Sequence, residues 1–215
     1  MCAPPPHNLP MFVNDVHVAP FDSLCLQVHA FDPTINITKV ERVFKGRHGK
    51  SVPEQFVFRE IGIGAVDGVA TFLQHKNQNV KSKTAVPMEE LTGRYEDGGS
   101  QAAVLRLKTL MCMNSHSWMD VLKMDVEGLE LDICESHDFT RVKIPTNQLL
   151  IEFHERSMRG SAERKRACLA NFKQNGFSIV HVSNSKQEYA LARMSVGFKL
   201  LDPLKLQSRK ALDSA

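Results

Sequence analysis

The sequence predicts an α/β protein, a mainly parallel sheet that ends in an antiparallel hairpin. Three observations predict it. Apolar, β-branched runs (LCLQVHAF from Leu24, FVFRE from Phe56, VLKMDV up to Asp125, QLLIEF from Gln148) are separated by stretches of helical character, the order of a sheet built through helical crossovers. The runs are apolar enough for strands buried on both faces. Near the end, FSIVHVS, NSKQ and EYALARM read as strand, turn and strand, a hairpin.

Residues 1–23 are expected to form an extended arm, because residues 1–10 hold four of the ten prolines, each of which removes a backbone donor and fixes φ. The domain proper is expected over 24–200, with 201–215 as a tail. Its first strand, from Leu24, stops at Asp32-Pro33. A short helix is predicted over Thr38–Phe44, capped by Thr38 with Glu41 three residues on. After the Phe56–Glu60 strand, Gly62, Gly64 and Gly68 mark a turn, and Val69–Leu73 leaves it as a strand. Residues 76–101 are polar and read as a long surface excursion. Ala102–Met111 reads as a strand-like run. The strand ending at Asp125 leads into a helix opened by GLELDICESH, whose acids favour the positive helix N-terminus. After Gln148–Phe153, SAERKRACLANFKQNG is an amphipathic helix that starts at Ser161 and stops at Gly176.

At 215 residues, 42% hydrophobic and 24% charged, the chain suits one domain and excludes a disordered tail, a collagen-like fibre and a disulfide miniprotein. Lys and Arg number 27 against 24 acids, and a net charge of +3 gives no sign of nucleic acid or of an anionic membrane. No stretch approaches the roughly 20 apolar residues needed to cross a bilayer, and MCAPPPHNLP is not a signal peptide, so the chain as written is expected to remain in the cytoplasm. Five scattered cysteines without a CxxC pair read as reduced, mostly buried thiols.

Ligands of such sheets bind at the carboxyl ends of strands, and three strands here end in acids: Asp32, Asp125 with Glu127, and Glu152 with His154. VHAFDPT, DVLKMDVEGLELDI and LLIEFHE, in that order, resemble the FkbM-like methyltransferases, particularly their methyltransferase-like branch, over roughly residues 24–200. The most specific element is LKMDVEG, Leu122–Gly128, where the family writes variants of K-[IM]-D-[IV]-E-G. The resemblance implies a Rossmann-like class I methyltransferase fold, seven strands with the last reversed, and S-adenosylmethionine as methyl donor. It also implies a hydroxyl or similar heteroatom of a small molecule or glycan as acceptor.

On this reading Asp32 accepts ribose hydroxyls, the alternative being a plain Asp-Pro turn. Asp125 faces the sulfonium and the acceptor, while Glu127 bonds backbone amides at the helix start; the alternative is that both acids cap that helix. Glu152 and His154 are candidates for the base, His154 otherwise being structural. No metal is expected, since one histidine and two acids on separate strands is a weak ligand spacing. The basic run in SMRGSAERKRACL reads as a solvated helix face.

One departure stands out. The family's glycine-rich cofactor loop precedes the ribose acid, yet MFVNDVHVAPFDSLCLQ contains no glycine. The segment EIGIGAVDG, Glu60–Gly68, fits better as the turn after the third strand, with Ile63, Gly64 and Ala65 near the adenine. The first strand is therefore expected to be missing by N-terminal truncation, with residues 11–18 partly filling its place and the cofactor held weakly. Relatives are often anchored secretory-pathway proteins, so such a loss would also remove a targeting signal. The competing reading is a methyltransferase-like binding or scaffold module without turnover. A nicotinamide oxidoreductase is disfavoured, because no G-x-G-x-x-G follows a first strand.

Overall fold

The computed structural model describes residues 27–74, 83–85, 99–154 and 161–193. The elements run β1 (Val28–Phe31), α1 (Ile37–His48), β2 (Phe56–Arg59), β3 (Gly62–Ile63), β4 (Gly68–Gln74), β5 (Lys83–Ala85), β6 (Ser100–Leu105) and α2 (Leu107–Met113). They continue with β7 (Met119–Met124), α3 (Glu130–Glu135), α4 (His137–Thr140), β8 (Thr146–Glu152), α5 (Ser161–Gln174), β9 (Phe177–Val182) and β10 (Glu188–Arg193). Residues 11–18 and 201–215 lie outside the described residues, as does most of the expected 76–101 excursion; within it, Lys83–Ala85 pairs as a strand with β4.

The mixed α/β composition is as expected, but the single, mainly parallel sheet is not. The strands form three sheets, β1-β2, β7-β8-β10-β9 and β3-β6-β4-β5. Pairs β1–β2, β7–β8 and β3–β6 are parallel, each with a long connection between partners. Pairs β4–β5, β4–β6, β10–β8 and β10–β9 are antiparallel, so antiparallel pairing prevails among the described residues. The predicted hairpin is present, and β10 inserts between β8 and β9.

In the first sheet α1 carries the chain from β1 to β2, and Val40 and Phe44 pack on Val28, Ala30 and Phe56 in a small core of their own. The helix is capped by Asn36, whose side chain accepts from the Lys39 amide at 3.0 Å, not by Thr38. Asn36 stands directly before the first helical residue with extended backbone, where an amide oxygen reaches the first orphan donors.

The larger core lies under the second sheet. Leu122, Met124, Leu149, Ile151 and Leu191 are buried together with Leu131, Ile133, Phe139 and Phe172 of the following helices. Full burial of each such side chain contributes about 1.5–3 kcal/mol. Cys134 of α3 and Cys168 of α5 are joined by a disulfide across 34 residues of sequence, which corrects the reading of these two as reduced thiols. Their separation leaves no local spacing signal, since the two helices meet only in the folded chain.

The run Ala102–Met111 is also corrected. It divides at Arg106 into β6 and α2, because Asp67 accepts from the Arg106 amide at 2.7 Å and the Thr109 hydroxyl at 2.9 Å, and Asp138 accepts from the Lys108 amide at 3.0 Å. These caps come from about 30 to 40 residues away, so they overrule local strand character. The first unit meets the rest of the molecule at a polar seam: His29 Nε2 lies 3.0 Å from His116 Nε2, and Arg59 Nη2 donates to Asn114 Oδ1 at 3.2 Å.

Candidate active site

β7 and β8 run parallel, Leu122 opposite Leu149 and Met124 opposite Ile151, so their carboxyl ends lie side by side. Leu122 and Met124 turn into the core, which leaves Lys123 and Asp125 on the other face by the two-residue period of a strand. On β8, Ile151 and Phe153 are buried, and Glu152 and His154 take the alternate side. The structure brings Asp125, Glu152 and His154 together. His154 Nε2 lies 3.9 Å from Asp125 Oδ1 and 3.7 Å from Glu152 Oε1. Asp125 and Glu152 open on a cavity of about 410 Å³ that Lys123, His181, Glu188 and Tyr189 also line.

Between β7 and α3 the chain turns through two left-handed residues, Glu127 at φ 53° and Gly128 at φ 114°. A Cβ strongly disfavours the second of these conformations, which accounts for glycine there. The turn aims Glu127 outward, with Oε2 3.4 Å from His154 Nε2. Glu130 bonds the amides before the helix, the task expected of Glu127. Its carboxylate accepts from the Val126 and Gly128 amides, each at 3.2 Å, and meets His154 Nδ1 at 2.8 Å. Glu130 is 1% exposed, and these contacts offset the cost of burying its charge.

The cluster is therefore held by its electrostatics. Burial lowers the pKa of His154, but the Glu130 hydrogen bond and charge, then Glu127 and Asp125, outweigh it and bring the imidazole up to about 9. Burial raises the carboxyls of Asp125 and Glu152 above their ordinary range, with Lys123 and His154 opposing the rise in each. Lys123 Nζ stands 3.6 Å from Asp125 Oδ2.

Asp32 belongs to a different part of the molecule. It follows β1, and its Oδ1 accepts from the Thr34 amide and hydroxyl, both at 2.7 Å, the bonds of a local turn. Next to it, a Cβ on Gly62 would lie 3.1 Å from the Pro33 ring, so the Asp32-Pro33 turn and the Gly62–Ala65 segment are neighbours. Ile63 is buried in β3, and Gly64 is tightly enclosed: a Cβ there would stand 3.1 Å from Val104 Cγ2 and 3.2 Å from the Val66 carbonyl. Phe31, Ile61, Val126 and Leu129 all pack on the larger core, so the ends of β1, β3 and β7 share one apolar floor.

Glu130 and the His29–His116 pair are the polar groups that sequence reasoning passed over. By sequence Glu130 reads only as an acid in a first helical turn. Its place two residues after a glycine that follows a strand end is a signal that such an acid folds back on the turn amides.

The model of the methyltransferase FkbM domain matches residues 21–179 of the chain. Comparison with curated proteins and with solved structures gives no match.

Proposed function

Because the chain belongs to the FkbM methyltransferase domain family, we propose that it is an S-adenosylmethionine-dependent methyltransferase acting on a hydroxyl or other heteroatom of a small molecule or glycan. The observation that carries this reading is the convergence of Asp125, Glu152 and His154 at the carboxyl ends of two adjacent parallel strands. The strand order β7-β8-β10-β9 with β10 reversed supports a Rossmann-like methyltransferase sheet, to which β1 and β2 would contribute the second and third strands. Among the described residues the outer edges of β1 and β7 pair with no strand, and these are the two edges that a central strand would join in such a sheet.

The donor set suits the cofactor. Asp125, Glu127, Glu130 and Glu152 outnumber Lys123 and His154, an excess of negative charge that favours a sulfonium. Asp32 uses Oδ1 in its turn, and a carboxylate has about four acceptor positions, so it retains capacity for ribose hydroxyls. In this reading Asp32 holds the ribose, Ile63, Gly64 and Ala65 flank the adenine, and Asp125 faces the sulfonium. The bound cofactor supplies an electrophilic methyl group. Glu152, whose side chain is 30% exposed at the cavity, takes the acceptor's proton, while His154, bound through Nδ1 to Glu130, fixes the carboxylates around it.

A second reading, a binding module without turnover, draws on the composition of residues 1–31, which hold no glycine ahead of Asp32. Calorimetric titration with S-adenosylhomocysteine tests the cofactor assignment. Asp32→Ala should weaken binding by about 1.5–3 kcal/mol, the scale of a hydrogen bond to a charged group. Unchanged affinity in a folded variant removes Asp32 from the site, and no binding by the parent chain overturns the cofactor reading. With an acceptor in hand, loss of turnover in Asp125→Asn separates the enzyme from the module.

A further inference from the structure

His154 is presented as a ligand. Its Nδ1 is engaged by Glu130 at 2.8 Å, and Glu130 is itself anchored by two backbone amides, so the ring is fixed with Nε2 toward the carboxylates. Glu127 Oε2, Glu152 Oε1 and Asp125 Oδ1 stand 3.4, 3.7 and 3.9 Å from that nitrogen. A charge-assisted N–H···O bond closes to about 2.7–2.9 Å, and none of the three does. Their spacing fits a different arrangement. Two donors about 2.0–2.2 Å from one ion lie roughly 3 to 4 Å apart across its coordination shell. One donor atom each from Asp125, Glu127 and His154 lies within 4.8 Å of the others.

We propose that Asp125, Glu127 and His154 bind a divalent first-row transition-metal cation, with Glu130 as the positioning residue behind the imidazole. An imidazole nitrogen with two carboxylate oxygens suits Mn²⁺ or Zn²⁺, whereas Ca²⁺ and Mg²⁺ prefer oxygen alone. A carboxylate on the far nitrogen of a ligating histidine sets its tautomer and orientation, and Glu130 stands at that place. The donors come from separate points of the chain: Asp125 directly follows β7, Glu127 lies on the left-handed turn, and His154 lies two residues beyond β8. Lys123 approaches Asp125 through Oδ2, the oxygen opposite the one nearest His154. The site stands on its own geometry and does not require methyl transfer.

The test uses the full chain, freed of metal with a chelator and titrated with Mn²⁺, with the free ion followed by electron paramagnetic resonance, and with Zn²⁺ by calorimetry. One ion per chain is expected. Asp125→Asn, Glu127→Gln and His154→Gln should each weaken binding at least about tenfold, and Glu130→Gln, which removes no ligand, by about 10 to 100-fold. Glu163→Gln, at an exposed ion pair on α5, should leave binding unchanged. Circular dichroism identifies the variants that remain folded; Glu127, with a side chain 27% exposed, is the one whose replacement least disturbs the core. Absence of saturable binding by the parent chain overturns the proposal. So does binding that is equal in the parent and in a folded Glu127→Gln variant.

Discussion

Replacing His29 with leucine should flatten the acid side of the stability profile. His29 is 4% exposed, its Nδ1 has no hydrogen-bond partner among the described residues, and its Nε2 faces His116 Nε2 at 3.0 Å. Of two facing ring nitrogens, one must carry the proton and the other the lone pair, so a second proton between them has no acceptor. Burial above all, then the His116 and Arg59 charges, lower His29 from 6.5 to about 4, and burial also lowers His116. Between those values the folded chain keeps His29 neutral while the unfolded chain binds a proton. The His29 contribution to stability therefore falls as pH drops from about 6.5 toward 4 and is constant above that window. The difference of about 2.5 pH units, at about 1.36 kcal/mol each, amounts to about 3 kcal/mol. Urea unfolding of the parent and of His29→Leu, from pH about 7.5 down to about 4, measures it. The variant's stability relative to the parent should rise by about 3 kcal/mol across the window. Taking the difference cancels Asp125 and Glu152, whose raised carboxyls act in the opposite direction. Parallel profiles for the two chains would refute the argument.

Three further outcomes follow from packing and cross-linking. Cys134→Ser with Cys168→Ser opens a loop of 34 residues and should cost about 3–4 kcal/mol by chain entropy, read as a lower midpoint in denaturant; a midpoint unchanged by mutation and by reductant would contradict the cross-link. Gly64→Ala places a methyl 3.2 Å from the Val66 carbonyl, which cannot rotate away, and should destabilise by about 1–3 kcal/mol in thermal unfolding; a neutral result would show that the turn gives way. Arg193 lies over the Phe177 ring at 4.4 Å and donates to the carbonyls of Thr146, Ile144 and Asn175. Arg193→Lys loses the planar fork and should cost about 2–3 kcal/mol in urea; a loss under about 0.5 kcal/mol would mean these carbonyls are satisfied otherwise.

The strand ends were legible because a strand's two-residue period needs no tertiary information. Once QLLIEF is a buried strand, Glu152 and His154 share a side, and parallel pairing with β7 brings them to Asp125. The helix α2 was not legible, since the carboxylates that cap it are Asp67 and Asp138, far off in sequence. The same holds for Cys134 and Cys168, and for the division into three sheets, where β4 pairs antiparallel with β6 across the long connection from Gln74 to Ser100 and nothing local announces the partner. Glu130's bonds to the turn amides were not legible, because an acid's spacing does not show that the backbone beside it is left-handed. Only the φ values of the turn decide which carboxylate folds inward.

The small apolar core of the β1–α1–β2 unit bears on which amides first meet solvent. The β1–α1–β2 unit buries Val28, Val40, Phe44 and Phe56 largely among themselves, and so has the means to open as a cooperative piece while the larger core stays closed. Amide protons of α1 should then exchange with deuterium ahead of those in β7 and β8. His29 and His116 bridge the joint between these pieces, so a proton forced between them would be relieved by parting the pieces rather than by melting the whole chain. Acid would thus act on this molecule as a local solvent, quickening exchange in the β1–α1–β2 unit and leaving the strands that carry Asp125 and Glu152 protected.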